Sequence, residues 1–251
     1  MDIFKLVLIL LTGVAAGFLN VTAGGGSLLV LPMLVFSGLD MSIANATNRV
    51  AILLQNLVAA GNFKKGKVLS FREAVFFAVP ASIGSIVGTS LAITMDEKLL
   101  KIVIASLILV MAFLLVFKPR MWEEQRQQSL PDWVILAAFF LIGVYGGFIQ
   151  AGVGFFFLWG LVGLAGKDLV HSNALKVTII AIYTMISLGI FFMNGMVNLK
   201  IGLILALGSM TGGYLGVRFS ISKGNKWLRF ILTGVVTVSA LRMLVSALSG
   251  M

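Results

Sequence analysis

The sequence contains no cysteine, one histidine and few charged residues. Without cysteine, the chain can form no disulfide and offers neither a thiol nucleophile nor thiolate metal ligands. The lone His171 cannot build a histidine metal cluster, so we expect no metal site, no cofactor and no catalytic residue. Charged residues make up 11% of the chain, against about 25% in an ordinary soluble domain. So few charges cannot cover the surface of a soluble protein of 251 residues.

Apolar residues are correspondingly abundant, at 59% of the chain, and the mean hydropathy is +1.08. We therefore predict an all-α, multi-pass membrane protein. A helix needs about 20 apolar residues to cross the hydrocarbon core. The candidate stretches are 3–37, 42–62, 73–94, 99–117, 133–165, 170–193, 199–220 and 227–248. The first stretch follows no basic run, so we interpret it as retained rather than as a signal peptide. The net charge of +10 sits mainly in short loops, which argues against a nucleic-acid partner.

Two of these stretches are too long for one crossing, and glycines interrupt both. The sequence Thr-Ala-Gly-Gly-Gly-Ser spans 22–27, and Gln-Ala-Gly-Val-Gly spans 150–154. Each interruption predicts two shorter helical pieces with an unwound joint. Unwound backbone at membrane depth is costly unless it is buried in protein or lines a cavity. The alternative is that the glycines serve only for close helix packing.

The chain repeats itself on either side of the polar stretch 118–131. We predict a first transmembrane repeat at 1–117, a cytoplasmic linker at 118–131 and a second transmembrane repeat at 132–251. Gly13, Gly17, Phe18, Asn20 and Gly24 match Gly143, Gly147, Phe148, Gln150 and Gly154. After a slip of two residues, Asp40, Asn45 and Ala46 match Asp168, Asn173 and Ala174, and Gly84 and Gly88 match Gly212 and Gly216.

Loop charges distinguish parallel from inverted repeats. If each glycine-broken stretch crosses once, the repeats are parallel and the loop Lys and Arg divide nine inside to seven outside. If each broken stretch returns to its starting side, the repeats are inverted and the division is twelve to four. Only the second division obeys the positive-inside rule. We therefore predict two inverted repeats, each with a re-entrant-type first segment plus three transmembrane helices, and both termini outside the cytoplasmic membrane.

A polar stripe inside the membrane indicates which charge a transported solute would carry. Asn45, Asn48 and Arg49 share one face of the stretch 42–62, and Asn173 and Lys176 share one face of 170–193. Cations inside a membrane are functional candidates. The carboxylates all lie at segment ends or in loops, where none matches these cations, so the pattern indicates an anion. The alternative is that both cations extend to the interface. The candidate substrate-binding residues are Asn20, Thr22, Gly24, Gly25, Gly26, Ser27, Asn45, Asn48, Arg49, Gln150, Gly152, Gly154, Asn173 and Lys176.

Together these motifs resemble the TauE/SafE sulfite exporter family. The resemblance rests on Gly17-Phe18, the glycines at 24–26, Pro32, the Ala-Asn-Ala-Thr-Asn run at 44–48 and Gly66-Lys-Val68, with partial copies in the second half. Phenylalanines at 155–157 stand where a second triple glycine is expected, and Val162 stands where a second proline is expected. The resemblance implies export of a small sulfur-containing or organic anion, such as sulfite, sulfoacetate or a related sulfonate.

Three other functions remain open at this stage. An anion channel could use the same basic stripe and glycine breaks. An intramembrane enzyme would need an acid–base pair at membrane depth, and His171 lies beside only Ser172 at a helix end. A membrane scaffold would have no use for a polar stripe repeated in both halves. The expected partners are a small anionic substrate and the lipid bilayer, and homo-oligomer formation is left open.

Overall fold

The computed structural model describes residues 3–96, 98–99 and 130–248, with side chains up to residue 224 and at Trp227. Most of the predicted stretch 99–117 and nearly all of the linker 118–131 lie outside these residues. The described helices are α1 (Ile3–Thr22), α2 (Ser27–Phe36), α3 (Met41–Lys65), α4 (Phe71–Thr94), α5 (Asp132–Phe148), α6 (Val153–Leu158, continued by a π-helical turn, Trp159–Leu164), α7 (Leu169–Met193) and α8 (Leu199–Leu248). A break at Gly224, with φ of 68°, divides α8.

Four of the described helices have the length and hydropathy of membrane spans. Ile3–Thr22, Phe71–Thr94, Leu169–Met193 and Leu199–Gly224 are each long and apolar enough to cross a bilayer. Large apolar side chains such as Ile83, Leu141 and Phe192 point outward and are more than half exposed. The described part of the chain contains no strand. The prediction of an all-α, multi-pass membrane protein is confirmed.

Both predicted joints are present. The chain leaves helix α1 after Thr22 and re-enters helix at Ser27, and α2 then runs back beside α1. The first residues of α2 lie near the end of α1, since a Cβ on Gly26 would be 2.0 Å from the Ala16 carbonyl oxygen. In the second half, α5 ends at Phe148 and α6 begins at Val153. The prediction of two helical pieces around each glycine run is therefore confirmed.

Helices α3 and α7 form the centre of the molecule. Each is 25 residues long and follows an aspartate at its N-cap, Asp40 or Asp168, as the sequence match predicts. Arg49 on α3 contacts Ser187 near the end of α7, whereas Phe63 packs beside Ala174 near its start. The contacts move in opposite directions along the two helices, so α3 and α7 are antiparallel.

Two pairs of parallel helices flank this centre, and each pair joins one helix from each half. Helix α1 packs on α8, and α5 packs on α4. Glycines allow the backbones to touch. A Cβ on Gly84 would lie 2.1 Å from the Phe140 carbonyl oxygen, and one on Gly208 would lie 2.1 Å from that of Leu10.

These contacts correct one detail of the sequence match. Gly84 and Gly88 make the same contacts with α5 that Gly208 and Gly212 make with α1. The match to Gly212 and Gly216 is therefore wrong by one helical turn. Glycines recur every fourth residue in this part of α8, so identity alone cannot choose between two registers that differ by four residues.

Candidate functional site

The two helix breaks meet in the interior of the protein. A Cβ on Gly24 would lie 2.4 Å from the carbonyl carbon of Gly154, and one on Gly154 would lie 2.4 Å from Cα of Gly24. Gly24 also has a φ of 97°, a conformation that side chains other than glycine rarely adopt. The two glycine runs thus bring the backbones of the two halves into direct contact.

A small cavity of about 10 Å³ lies at this meeting point. Five of the predicted site residues line it, namely Asn20, Gly24, Ser27, Gln150 and Gly154, together with Ile52, Asn56, Val153 and Ile180. None of these side chains is ionisable. The volume is close to the minimum for one water molecule, so the cavity is closed to anything larger in this arrangement.

Arg49 is fully buried beside the cavity but does not line it. Its Nη1 donates to the carbonyl oxygen of Gly146 at 3.0 Å, to Oε1 of Gln150 at 3.2 Å and to Oγ of Ser187 at 3.0 Å. Its Nη2 donates to the Gly147 carbonyl oxygen at 2.6 Å. The cation therefore caps the C-terminal end of α5, where the helix dipole is negative.

Lys176 is the second fully buried cation and occupies a related position. Its Nζ donates to the Val21 carbonyl oxygen at 2.9 Å and to Oδ1 of Asn173 at 2.5 Å. Asn173 in turn donates to the Thr22 carbonyl oxygen at 3.5 Å. The second-half cation thus holds the end of α1, just as Arg49 of the first half holds the end of α5.

Two side chains outside the predicted set hold the polar residues of the cavity. Gln150 donates through Nε2 to the hydroxyl of Tyr183 at 2.9 Å. Asn20 donates through Nδ2 to Oε1 of Gln55 at 3.2 Å. Gln55 and Tyr183 match at the same offset as Asn45 and Asn173. That offset could have identified them. However, glutamine and tyrosine are chemically unlike, so this matched pair does not stand out as part of a repeat.

The other predicted residues lie around the cavity rather than on it. Asn48 donates to Oγ of Ser27 at 3.2 Å, and Asn45 donates to the Phe148 carbonyl oxygen at 2.8 Å. Gly25 and Gly26 lie in the first break, and Gly152 starts the second with a φ of 73°. The hydroxyl of Thr22 is directed back to the Phe18 carbonyl oxygen.

Carboxylates in the described residues lie away from this centre. Asp40 and Asp168 are N-caps, and Glu73 and Asp132 lie in the first turns of their helices. Glu73 bonds with both Lys167 and His171, at 2.5 and 2.7 Å. It lines a pocket of about 460 Å³ between the starts of α4 and α5. This pocket is larger than the central cavity, but it lies at one end of the helices, away from both breaks.

Comparisons with known proteins identify the family. A family model described as the sulfite exporter TauE/SafE matches residues 9–243, a range that includes both breaks and both buried cations. The chain belongs to the TauE/SafE family. No solved structure matches it.

Several TauE/SafE relatives cover nearly the whole chain. A probable membrane transporter protein of Haemophilus influenzae is 28% identical, over 89% of this chain and 88% of its own. The probable membrane transporter protein YfcA of Escherichia coli K12 is 28% identical, over 91% and 86%. YjnA of Bacillus subtilis, which has the same description, is 28% identical, over 95% and 99%. This TauE/SafE protein is therefore a membrane transporter and not an enzyme.

Proposed function

We propose that this transporter exports a small sulfur-containing or organic anion, such as sulfite, sulfoacetate or a related sulfonate, across the cytoplasmic membrane. The observation that carries the proposal is the meeting of the two glycine breaks around a cavity whose lining residues are all neutral, four of them polar. Two buried cations stand beside this cavity, and the described carboxylates all lie at helix ends.

When the cavity widens beyond its volume in this closed arrangement, hydrogen-bond donors on its wall can bind an anion. Ser27, Asn56 and Gln150 each bring a hydroxyl or amide group to its wall. Ser27 is the first residue of α2 and so lies at a positive helix end, which favours negative charge.

The charges favour an anion over a cation. Arg49 bonds the wall residue Gln150, and Lys176 bonds Val21, which follows the wall residue Asn20 in the chain. The described carboxylates lie at helix ends, away from both cations. A cation would therefore meet two like charges without a neutralising group. An anion would be attracted, and the low local dielectric strengthens that attraction.

We also propose that the two halves are inverted repeats. The antiparallel crossing of the matched helices α3 and α7 supports this relation, since parallel repeats would make them run the same way. The basic end of α3, with Lys64 and Lys65, lies at the same end of the molecule as Lys167, which bonds Glu73. By the positive-inside rule this end faces the cytoplasm, which leaves both termini outside.

Export follows from the membrane potential. An inside-negative potential acts on a monovalent anion with about 2.3 kcal/mol per 100 mV, roughly a fifty-fold outward gradient. The described residues that line the cavity include no carboxylate that could couple the flux to protons. We therefore propose uniport driven by voltage.

Flux in proteoliposomes tests the proposal. The purified protein is reconstituted, and efflux of sulfite, sulfoacetate, taurine, thiosulfate and simple carboxylates is followed under an imposed potassium-diffusion potential. We expect saturable flux of at least one anion that rises with voltage. Flux that ignores voltage and requires a pH gradient would contradict uniport. Single-channel currents without counterflow would indicate a channel.

A matched pair of variants tests the site. Asn56→Leu removes an amide from the cavity wall, whereas Asn62→Leu removes one from the same helix two turns away, where it bonds only the Val58 carbonyl. We expect anion-dependent thermal stabilisation to be lost in the first variant and kept in the second. Equal stabilisation in both would place the binding site elsewhere.

A further inference from the structure

We propose that Arg49 acts on the transported anion through Gln150, as a positioning residue, rather than by contacting the anion. This inference rests on the proposed function and refines the role of one residue at the same site. It assigns the contact to the amide of Gln150, which lines the cavity, and the orientation of that amide to the guanidinium behind it.

The chemistry of arginine fixes the direction of the amide. A guanidinium has only N–H donors, so the group of Gln150 that lies 3.2 Å from Nη1 of Arg49 must be the amide oxygen. The amide nitrogen is then on the other side, 2.9 Å from the hydroxyl of Tyr183. An amide NH2 has two hydrogens, and only one is needed for that bond. The second remains as a donor to an anion in the cavity.

Arg49 is itself held firmly away from the cavity. Its remaining contacts go to the carbonyl oxygens of Gly146 and Gly147 and to the hydroxyl of Ser187. The ring of Phe191 lies 4.8 Å from the guanidinium carbon and covers one face. In the structure the guanidinium lies behind Gln150 and does not line the cavity.

The first half has no equivalent arrangement. Asn20, the match of Gln150, is bonded to the amide of Gln55, which can donate or accept after a flip. Lys176 contacts Val21 and Asn173 and makes no described bond with Asn20. A cation thus fixes which way the amide of Gln150 points, whereas no described cation fixes the amide of Asn20. We therefore assign the fixed anion-binding donor to the second break.

A double-mutant cycle on half-saturation for transport separates positioning from direct contact. The variants are Arg49→Lys, Gln150→Leu and the double variant, with Arg218→Lys as control, since exposed Arg218 stacks on Tyr214 far from the cavity. We expect each single change to raise the half-saturation concentration about tenfold, which is the loss of one good hydrogen bond. In the Gln150→Leu background, Arg49→Lys should add less than about twofold, because the residue it acts through is gone.

Direct contact of Arg49 with the anion predicts a different half-saturation concentration for the double variant. If Arg49 contacts the anion itself, the two effects multiply and the double variant loses about a hundredfold, which overturns the inference. Because Gln150→Leu leaves Arg49 unchanged, its effect on half-saturation can be measured even where Arg49→Lys misfolds. Wild-type half-saturation in Gln150→Leu also overturns the inference. If the wild-type protein neither binds nor moves any anion tested, the proposed function fails and the inference fails with it.

Discussion

Arg49 and Lys176 each bond backbone carbonyl oxygen at the C-terminus of the other half's first helix, Arg49 at Gly146 and Gly147 and Lys176 at Val21. These carbonyls have no partner within their own helix, and in a membrane no water is at hand to satisfy them. Each cation therefore has two effects. It completes the hydrogen bonding of a helix end at membrane depth, and it places positive potential beside the cavity.

Replacing Lys176 tests the first effect. Lys176→Met keeps an unbranched side chain of similar length but removes all donors, so the Val21 carbonyl and Oδ1 of Asn173 lose their shared partner. Each unsatisfied buried acceptor costs about 1–3 kcal/mol. We expect a clear drop in the thermal unfolding midpoint in detergent, and no drop for Lys200→Met, at the exposed start of α8. Equal midpoints would show that Nζ does not stabilise the end of α1.

For single residues, the sequence predicts which side chains are buried at the centre but does not predict their hydrogen-bond partners. Helical periodicity places Asn48 and Arg49 on one buried face, and that face is buried as expected. The partners of Arg49, however, come from residues about 100 positions or more away, in the other half. Periodicity within one helix carries no information about that contact, so capping by Arg49 could not be predicted.

Among the helices, close glycine contacts decide how the two halves join. In both flanking pairs, glycines let a helix approach carbonyl oxygens of its neighbour, a type of packing common in membranes. Van der Waals contact dominates such interfaces because lipid supplies no hydrophobic drive between helices. The sequence predicts close packing here, but the repeated four-residue spacing of glycines in α8 leaves the register ambiguous by one turn.

Alanine substitution at two glycines tests this contact. A Cβ at Gly88 would lie 1.9 Å from the Val144 carbonyl oxygen, whereas nothing lies within 4 Å of one at Gly61 on α3. We expect Gly88→Ala to lower the free energy of unfolding by about 1–3 kcal/mol, through forced separation of α4 and α5. Gly61→Ala should leave stability unchanged or raise it by up to about 1 kcal/mol. Chemical unfolding in mixed micelles measures both, and a similar loss for both would contradict close packing as the cause.

The bond between Glu73 and Lys167 joins α4 to the loop before α7. Glu73→Gln and Lys167→Gln each remove one charge, and the double variant removes both. Exposed pairs contribute about 0.2–1 kcal/mol, and both side chains here are partly exposed, at 24% and 34%. We expect a coupling free energy in this range from thermal unfolding at low salt, reduced at high salt. A coupling of zero at low salt would show that the pair does not hold the two halves together.

The whole molecule is an interlocked pair of halves, since α1 packs on α8 and α4 packs on α5. Composition, loop charges and glycine runs predict an all-helical membrane protein with two broken segments, and these features are present. The direct contact of Gly24 with Gly154 could not be predicted, because matched positions in two repeats need not touch. They meet here because both breaks face the crossing of α3 and α7.

The absence of native cysteine makes the proposed orientation easy to test. Single-cysteine variants Asn194→Cys and Lys223→Cys are labelled with an impermeant maleimide in right-side-out membrane vesicles. Inverted repeats place residue 194 outside and residue 223 inside, so only the first should be labelled before permeabilisation. Parallel repeats predict the reverse. Lys64→Cys, which is inside in both arrangements, checks that the vesicles are sealed.

Interlocking of the halves also has a consequence for biosynthesis. The glycine face of α1 finds its partner only when α8 has been made, about 200 residues later, or roughly 10–40 s at 5–20 residues per second. During that time the glycine face of α1 is in contact with lipid instead of with α8. A ribosome that stalls between the halves would leave an inserted but unassembled fragment, and we expect membrane quality-control proteases to degrade it.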